Sequence, residues 1–175
     1  MKARIKFRKY GVMRFIGHLD VMRFFQKSMR RAGIPIAFTG GDSPHMIMSF
    51  AQPLGVGVTS DGEYLDIELK EEIDPQEAVR RLNKVMVEGI EVVNFCRIPD
   101  DKKCSGMTIV AAASYKAILL ESARSADVPR AFPESWSEKA DEFLRQESIV
   151  VLKKTKRSET QTDIKPMIYQ MKLEE

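Results

Sequence analysis

The sequence predicts an α+β protein of two tandem ferredoxin-like units, with the second unit incomplete. The 175-residue chain is 43% hydrophobic and 30% charged, a balance typical of soluble globular proteins. Hydrophobic residues of the N-terminal half repeat with the period of a strand, then of a helix, in the order β-α-β(β)-β-α-β. In the split βαβ layout, this order gives an antiparallel sheet with both helices on one face.

The first unit is predicted to span residues 1–98. Residues 3–9 alternate between apolar and basic side chains, which predicts a strand with one buried face. Residues 18–32 follow the helical period, and Gly33 is a natural residue to end that helix. One arc of the helix is apolar and holds Val21, Met22, Phe25, Met29 and Ala32.

The rest of this unit is predicted from shorter patterns. Asp74 followed by Pro75 and Glu77 is the signature of a helix N-terminus, and Gly89 is expected to end the segment. Strands are predicted at residues 34–38, 45–50, 64–69 and 90–97.

Residues 99–107 are predicted to be a polar connector, and residues 108–175 a second, smaller α+β unit that is incomplete. Its helix is expected at residues 135–146, and Asp163 is expected to cap a short turn through residues 166–169. Its strands are expected at residues 115–121, 149–154 and 170–173, with a polar turn at 156–161.

Several classes of protein are excluded or disfavoured by composition. No apolar run approaches the roughly 20 residues of a membrane span, and no signal peptide precedes the first strand. Two cysteines, Cys96 and Cys104, cannot form a disulfide framework, which favours a reducing cytoplasm. Neither Gly40-Gly41 nor the glycines at 55 and 57 have the context of a phosphate-binding loop. We predict no cofactor and no metal.

Positive charge is concentrated at the N-terminus. The chain has a net charge of +3, yet the only acid in residues 1–41 is Asp20. Such a field can attract a polyanion although the whole molecule is nearly neutral. The ten basic residues of this segment are Lys2, Arg4, Lys6, Arg8, Lys9, Arg14, Arg23, Lys27, Arg30 and Arg31.

Basic residues with an interleaved aromatic predict a single-stranded RNA interface, because phosphate contacts and base stacking act together there. Phe24 lies among the cations of the basic helix at helical spacing. The predicted RNA-binding residues are Lys9, Arg14, Arg23, Phe24, Lys27, Arg30 and Arg31.

Several motifs in the same order resemble the radical SAM-linked protein family, an uncharacterised bacterial group also called domain of unknown function 2344. The match is clearest over the first seventy residues. The motifs are residues 14–23, Arg30-Arg31-Ala32-Gly33, Ser43-Pro44-His45, Ser49-Phe50-Ala51, Pro53-Leu54, residues 62–66 and Asp163-Ile164-Lys165-Pro166.

The resemblance implies a radical SAM protein as partner, because such proteins are commonly encoded beside, or fused to, a cobalamin-type radical SAM protein. It also marks a set of polar motif residues as a possible network between the Gly-rich loop and the first helix: His18, Asp20, Ser43, His45, Ser49 and Asp66. Two cysteines cannot hold a radical SAM cluster, which needs three, so the chain is not the radical enzyme itself.

The leading hypothesis is a cytoplasmic, non-catalytic RNA-binding or adaptor module that serves a radical SAM modification enzyme, with a tRNA or rRNA as the RNA. The first alternative is a metal-independent ribonuclease with His18 as general acid or base. The second is a protein-interaction scaffold whose basic helix binds an acidic partner. A metal site formed by His18, His45 and an aspartate is disfavoured because the histidines lack a short-range ligand spacing.

Overall fold

The computed structural model describes residues 1–118, 136–154 and 158–173. Contacts divide the chain into two units, Met1–Ser114 and Tyr115–Glu175. The segment 99–107 lies within the first unit, where it holds a 3-10 turn, Lys102–Cys104, that runs into a short helix. Each unit is described here by itself.

The first unit confirms the predicted α+β class with an antiparallel sheet. The four strands of its sheet are arranged in the order β2-β3-β1-β4, and every neighbouring pair is antiparallel. Its elements are β1 (Lys2–Lys9), α1 (His18–Arg31), β2 (Met48–Phe50), β3 (Ser60–Glu68), α2 (Pro75–Asn83), β4 (Ile90–Ile98) and α3 (Gly106–Ile109).

The core forms where the apolar face of β1 meets α1. Alternate residues of β1 are buried, and the Phe7 ring lies 4.7 Å from that of Phe25 on α1. Ala78 and Leu82 of α2 are fully buried in the same cluster. Both helices therefore contribute to one hydrophobic core. Strand periodicity and helical periodicity predicted these buried faces because each element hides one side.

The predicted end of α1 and the predicted start of α2 are confirmed. The expected end of the second helix at Gly89 is wrong, because α2 stops at Asn83 and Gly89 lies in the turn before β4. Gly33 adopts a φ of +62°, and the amide of Ile34 donates to the carbonyl of Met29, which closes α1. The Asp74 carboxylate accepts a hydrogen bond from the amide of Glu77 at 2.8 Å and caps α2.

The predicted strand at residues 34–38 is wrong. The segment makes only single bridges, Ile36 to Leu69 and Phe38 to Met46, and it forms no continuous ladder. Pro35 lacks an amide proton, so the ladder cannot extend through it. The strand expected at 45–50 is correspondingly shorter and is limited to β2.

The second unit contains α4 (Trp136–Arg145) and a hairpin of β5 (Val150–Lys154) with β6 (Glu159–Asp163). Helix α4 agrees with the helix predicted at 135–146, and β5 agrees with the strand predicted at 149–154. The polar turn predicted at 156–161 is wrong from Glu159 onward, where residues pair with β5 and Glu159 forms a 2.9 Å ion pair with Lys154. Cross-strand pairing outweighs polarity in such a ribbon.

Of the remaining predictions for this unit, a turn after Asp163 is found, whereas two strands are not found within the described residues. Asp163 accepts from the amide of Lys165 at 3.0 Å, and a 3-10 turn follows at Lys165–Met167, as predicted. No strand forms at 115–118 or 170–173; the remainder of the predicted strand, 119–121, lies outside the described residues.

Candidate nucleic-acid interface

Three of the five cations on β1, Lys2, Arg4 and Arg8, are bound to carboxylates within the first unit. The ammonium of Lys2 lies 2.6 Å from Asp100, and the guanidinium of Arg8 reaches both Asp61 and Glu91. Hydrogen bonding to these acids raises the pKa of Lys2 and of Arg8. Pairing of this kind reduces the field that β1 presents to a polyanion.

Arg4 forms the most enclosed of these pairs. Its Nε and Nη2 atoms donate to the two oxygens of Asp66 at 2.7 and 2.9 Å, and this bidentate contact raises the pKa of Arg4. Nη2 also donates to the carbonyl of Cys104, while the amide of Gly106 donates to Asp66 at 2.7 Å. The group joins β1 and β3 to the segment that contains α3. No pattern in the sequence predicted this connection.

Lys9 is turned away from solvent. Its side chain continues the buried alternation of β1, the residue is 1% exposed, and Nζ donates to the carbonyl of Ile16 at 2.9 Å. Burial lowers its pKa, and the charge of Glu63 opposes that shift. Lys9 therefore secures the chain before α1 and is not among the exposed cations.

His18 begins α1 and is half-buried. Its ring packs edge-on against Phe50, with centroids 5.1 Å apart. Together with Lys9 and Glu63 it lines a cavity of about 10 Å³. That volume is about the room needed by one water molecule, so this cavity cannot hold an RNA base.

The remaining polar motif residues lie at separate places. The Asp20 carboxylate is 3.3 Å from Arg23 on the exposed surface of α1, whereas Asp66 binds Arg4. His45 and Thr39 are joined across the Gly-rich loop by a backbone hydrogen bond at 2.8 Å. Ser43 is exposed in that loop, and Ser49 is exposed on β2 opposite Asp66. Asp20 and Asp66 therefore form ion pairs with different arginines.

The outer side of α1 carries four exposed cations, and the turn before it adds Arg14, which is half-buried. Within the part of the chain that the structure describes, no carboxylate oxygen lies within 4.0 Å of Lys27, Arg30 or Arg31. We call this surface the α1 basic face, and it consists of Arg14, Arg23, Lys27, Arg30 and Arg31.

The aromatic residues near the α1 basic face differ in exposure. Phe24 is half-buried, packs against the core and meets Phe25 edge-on at 5.9 Å. Phe15 is 60% exposed, and the guanidinium of Arg14 lies 4.6 Å from its ring centroid. The exposed aromatic is therefore in the 3-10 turn Gly11–Phe15 rather than on the helix.

Cys96 and Cys104 are free thiols of intermediate exposure. Cys96 lies opposite Arg4 in the pairing of β1 with β4, and the carbonyl of Cys104 accepts a hydrogen bond from Arg4. Among the described residues, no group of three histidines, cysteines, aspartates or glutamates is placed to hold a metal ion. None of the helices in the described ranges is long and apolar enough to cross a bilayer.

Comparison with known proteins gives one match. A family profile described as an uncharacterized protein conserved in bacteria, DUF2344, matches residues 2–175. No curated protein and no solved structure matches the chain.

Proposed function

We propose that this chain, a member of the DUF2344 family of bacterial proteins, is a non-catalytic RNA-binding module. RNA phosphates contact the α1 basic face, and the first unit presents that face on a rigid helix. The observation that carries the proposal is the difference between two sets of cations. Lys2, Arg4 and Arg8 on β1 have carboxylate partners, whereas Lys27, Arg30 and Arg31 on α1 have none among the described residues.

The positions of Arg30 and Arg31 on α1 support phosphate binding. Arg30 and Arg31 lie in the last turn, where positive side chains also stabilise the helix dipole. That stabilisation leaves the guanidinium donors free for phosphate, since no side-chain carboxylate of the described residues pairs with them. Because a phosphate contact releases a counterion, binding by these side chains should weaken as salt increases.

We also propose a specific fold for the first unit. The chain order βαββαβ and the sheet order β2-β3-β1-β4 support a ferredoxin-like split βαβ fold for the first unit. In this fold the outer side of a helix faces away from the sheet. The α1 basic face would then be a surface separate from the paired cations of β1.

A radical SAM enzyme is the proposed protein partner. The family resemblance motivates it, and Cys96 and Cys104 cannot supply a three-cysteine cluster motif, so the radical chemistry would belong to another domain or protein. The module would bring the RNA to the enzyme that modifies it. Co-purification of the two proteins from nuclease-treated lysate tests this part separately from RNA binding.

The RNA proposal is tested by fluorescence anisotropy with a labelled single-stranded RNA at about 50 and about 200 mM salt. The test variant is Lys27→Gln with Arg31→Gln. The matched control is Arg80→Gln with Arg81→Gln, which removes two charges from α2 where both arginines contact Glu77. Both double variants change the net charge equally.

We expect the test variant to bind RNA more weakly and to lose about 1.4 units from the magnitude of its salt slope, since each phosphate contact on a single strand contributes about 0.7. The control variant should bind as the wild type does. Absence of binding at the lower salt, absence of a salt slope, or an equal loss in both variants would overturn the proposal.

A further inference from the structure

A groove lies at the C-terminal end of α1, next to the α1 basic face. Its volume is about 340 Å³, within the range of pockets that hold small organic groups. The floor is apolar and consists of Met29, Ile34, Ile36 and Met46, each no more than 7% exposed.

The rim of this groove combines an aromatic ring with charges. Phe38 is 37% exposed, and the ammonium of Lys70 lies 5.0 Å from its ring centroid. Arg30 of the α1 basic face also lines the groove, as does Glu71. Within the described residues no ion pair involves Arg30, Lys70 or Glu71.

We infer that this groove receives an unpaired base of single-stranded RNA, an inference that rests on the proposed function and names its substrate class. A base needs an apolar site and an aromatic face, and Phe38 with the buried floor supplies both. The flanking phosphates are strongly acidic and match the guanidinium of Arg30 and the ammonium of Lys70.

The alternative occupant is an apolar side chain of an acidic peptide. Glu71 would repel a peptide carboxylate and an RNA phosphate alike, so its charge does not separate the two occupants. The carboxylate oxygens of Glu71 can, however, accept hydrogen bonds from the amino group of a base, a contact that an apolar side chain cannot make. Bases in a duplex are stacked and paired, so the groove discriminates in favour of single strands.

The substitution Phe38→Leu tests this inference because leucine preserves the apolar bulk and removes the aromatic face. Tyr10→Leu is the matched control. Tyr10 is also about one-third exposed, at 36%, and also lies beside a cation, Arg8, but it does not line the groove. Both variants are compared with the wild type by anisotropy, using one labelled RNA alone and the same RNA in a duplex.

We expect Phe38→Leu to weaken single-strand binding at least about fivefold, the lower end of the effect of losing one stacked base. Duplex binding should stay unchanged, and Tyr10→Leu should bind both RNAs as the wild type does. Lys70→Gln, an exposed substitution, should lower the magnitude of the salt slope for the single strand by about 0.7 units.

Unchanged single-strand binding by Phe38→Leu, or an equal loss for single strand and duplex, would overturn the inference. In the first case the groove is left for another occupant, such as a peptide side chain, while RNA binding by the α1 basic face still stands. If the wild type binds neither RNA, the proposed function fails together with the inference. The two failures are therefore distinguishable.

Discussion

Arg4 and Asp66 lie opposite each other on neighbouring strands and are joined by two parallel hydrogen bonds of 2.7 and 2.9 Å. Their side chains are only 12% and 11% exposed. The pair also binds the backbone of the segment 104–106, since Arg4 donates to Cys104 and Asp66 accepts from Gly106. Arg4 was counted among the cations that make the N-terminal segment positive. It instead connects separate parts of the first unit.

Removing one partner of this pair is expected to destabilise the first unit strongly. Asp66→Ala leaves the enclosed guanidinium and the amide of Gly106 without their acceptor, at a cost of about 2–4 kcal/mol in the free energy of unfolding. Urea unfolding measures it. As control, Arg97→Gln disrupts an ion pair with Glu72 that is exposed and costs under about 1 kcal/mol. Similar losses in both variants would contradict this role for Asp66.

Gly106 is expected to reject a side chain. A Cβ there would lie 3.0 Å from the Cβ of Ala51 and 3.3 Å from a carboxylate oxygen of Asp66. Gly106→Ala should therefore lower stability by about 1–3 kcal/mol through overpacking. Gly40→Ala is the matched control because a Cβ at Gly40 meets no atom within 4 Å. Thermal melts compare the two, and equal melting temperatures would refute the close packing.

Burial of Lys9 predicts a pH dependence of stability. Its pKa is lowered by burial below the ordinary value of 10.5. Between the folded pKa and the unfolded pKa, the unfolded chain binds a proton that the folded protein has released. The free energy of unfolding attributable to Lys9 therefore rises with pH across that interval.

Lys9→Met isolates this contribution because methionine occupies a similar volume without the charge. The free energy of unfolding of the variant minus that of the wild type should be highest near neutral pH, where the wild type carries the buried charge. That difference should decrease as the pH approaches 10.5, the ordinary pKa of the lysine. Urea unfolding of both proteins over a pH series provides the comparison. A difference that is constant with pH would show that Lys9 keeps an ordinary pKa in the folded state.

Local patterns predicted those parts of the fold that depend on neighbours in sequence. The alternation in β1, the cap at Asp74 and the left-handed Gly33 are such features. Lys9 was predicted to bind RNA, yet the alternation of Ala3, Ile5 and Phe7 continues onto it and buries it. Its charge argued for exposure, but the position on the strand determined its burial.

Features that depend on strand register could not be predicted from the pattern. Arg4 meets Asp66 because β3 pairs with β1 in one particular register, across 62 positions of sequence. Phe38 and Lys70 come together at the groove for the same reason, since the chain returns beside the end of β3. Phe24 was expected among the exposed cations, and its half-buried position follows from contacts with the core.

RNA binding is tested most directly by the slope of log Kd against log salt for a single-stranded RNA. The α1 basic face offers five cations and Lys70 at the groove adds a sixth, which corresponds to a slope of at most about 4.2 in magnitude. If all ten N-terminal cations bound phosphate, the slope would approach about 7. We predict a value near or below the first figure, reduced further in Lys27→Gln with Arg31→Gln. A slope near zero, or one near the second figure, would contradict the account.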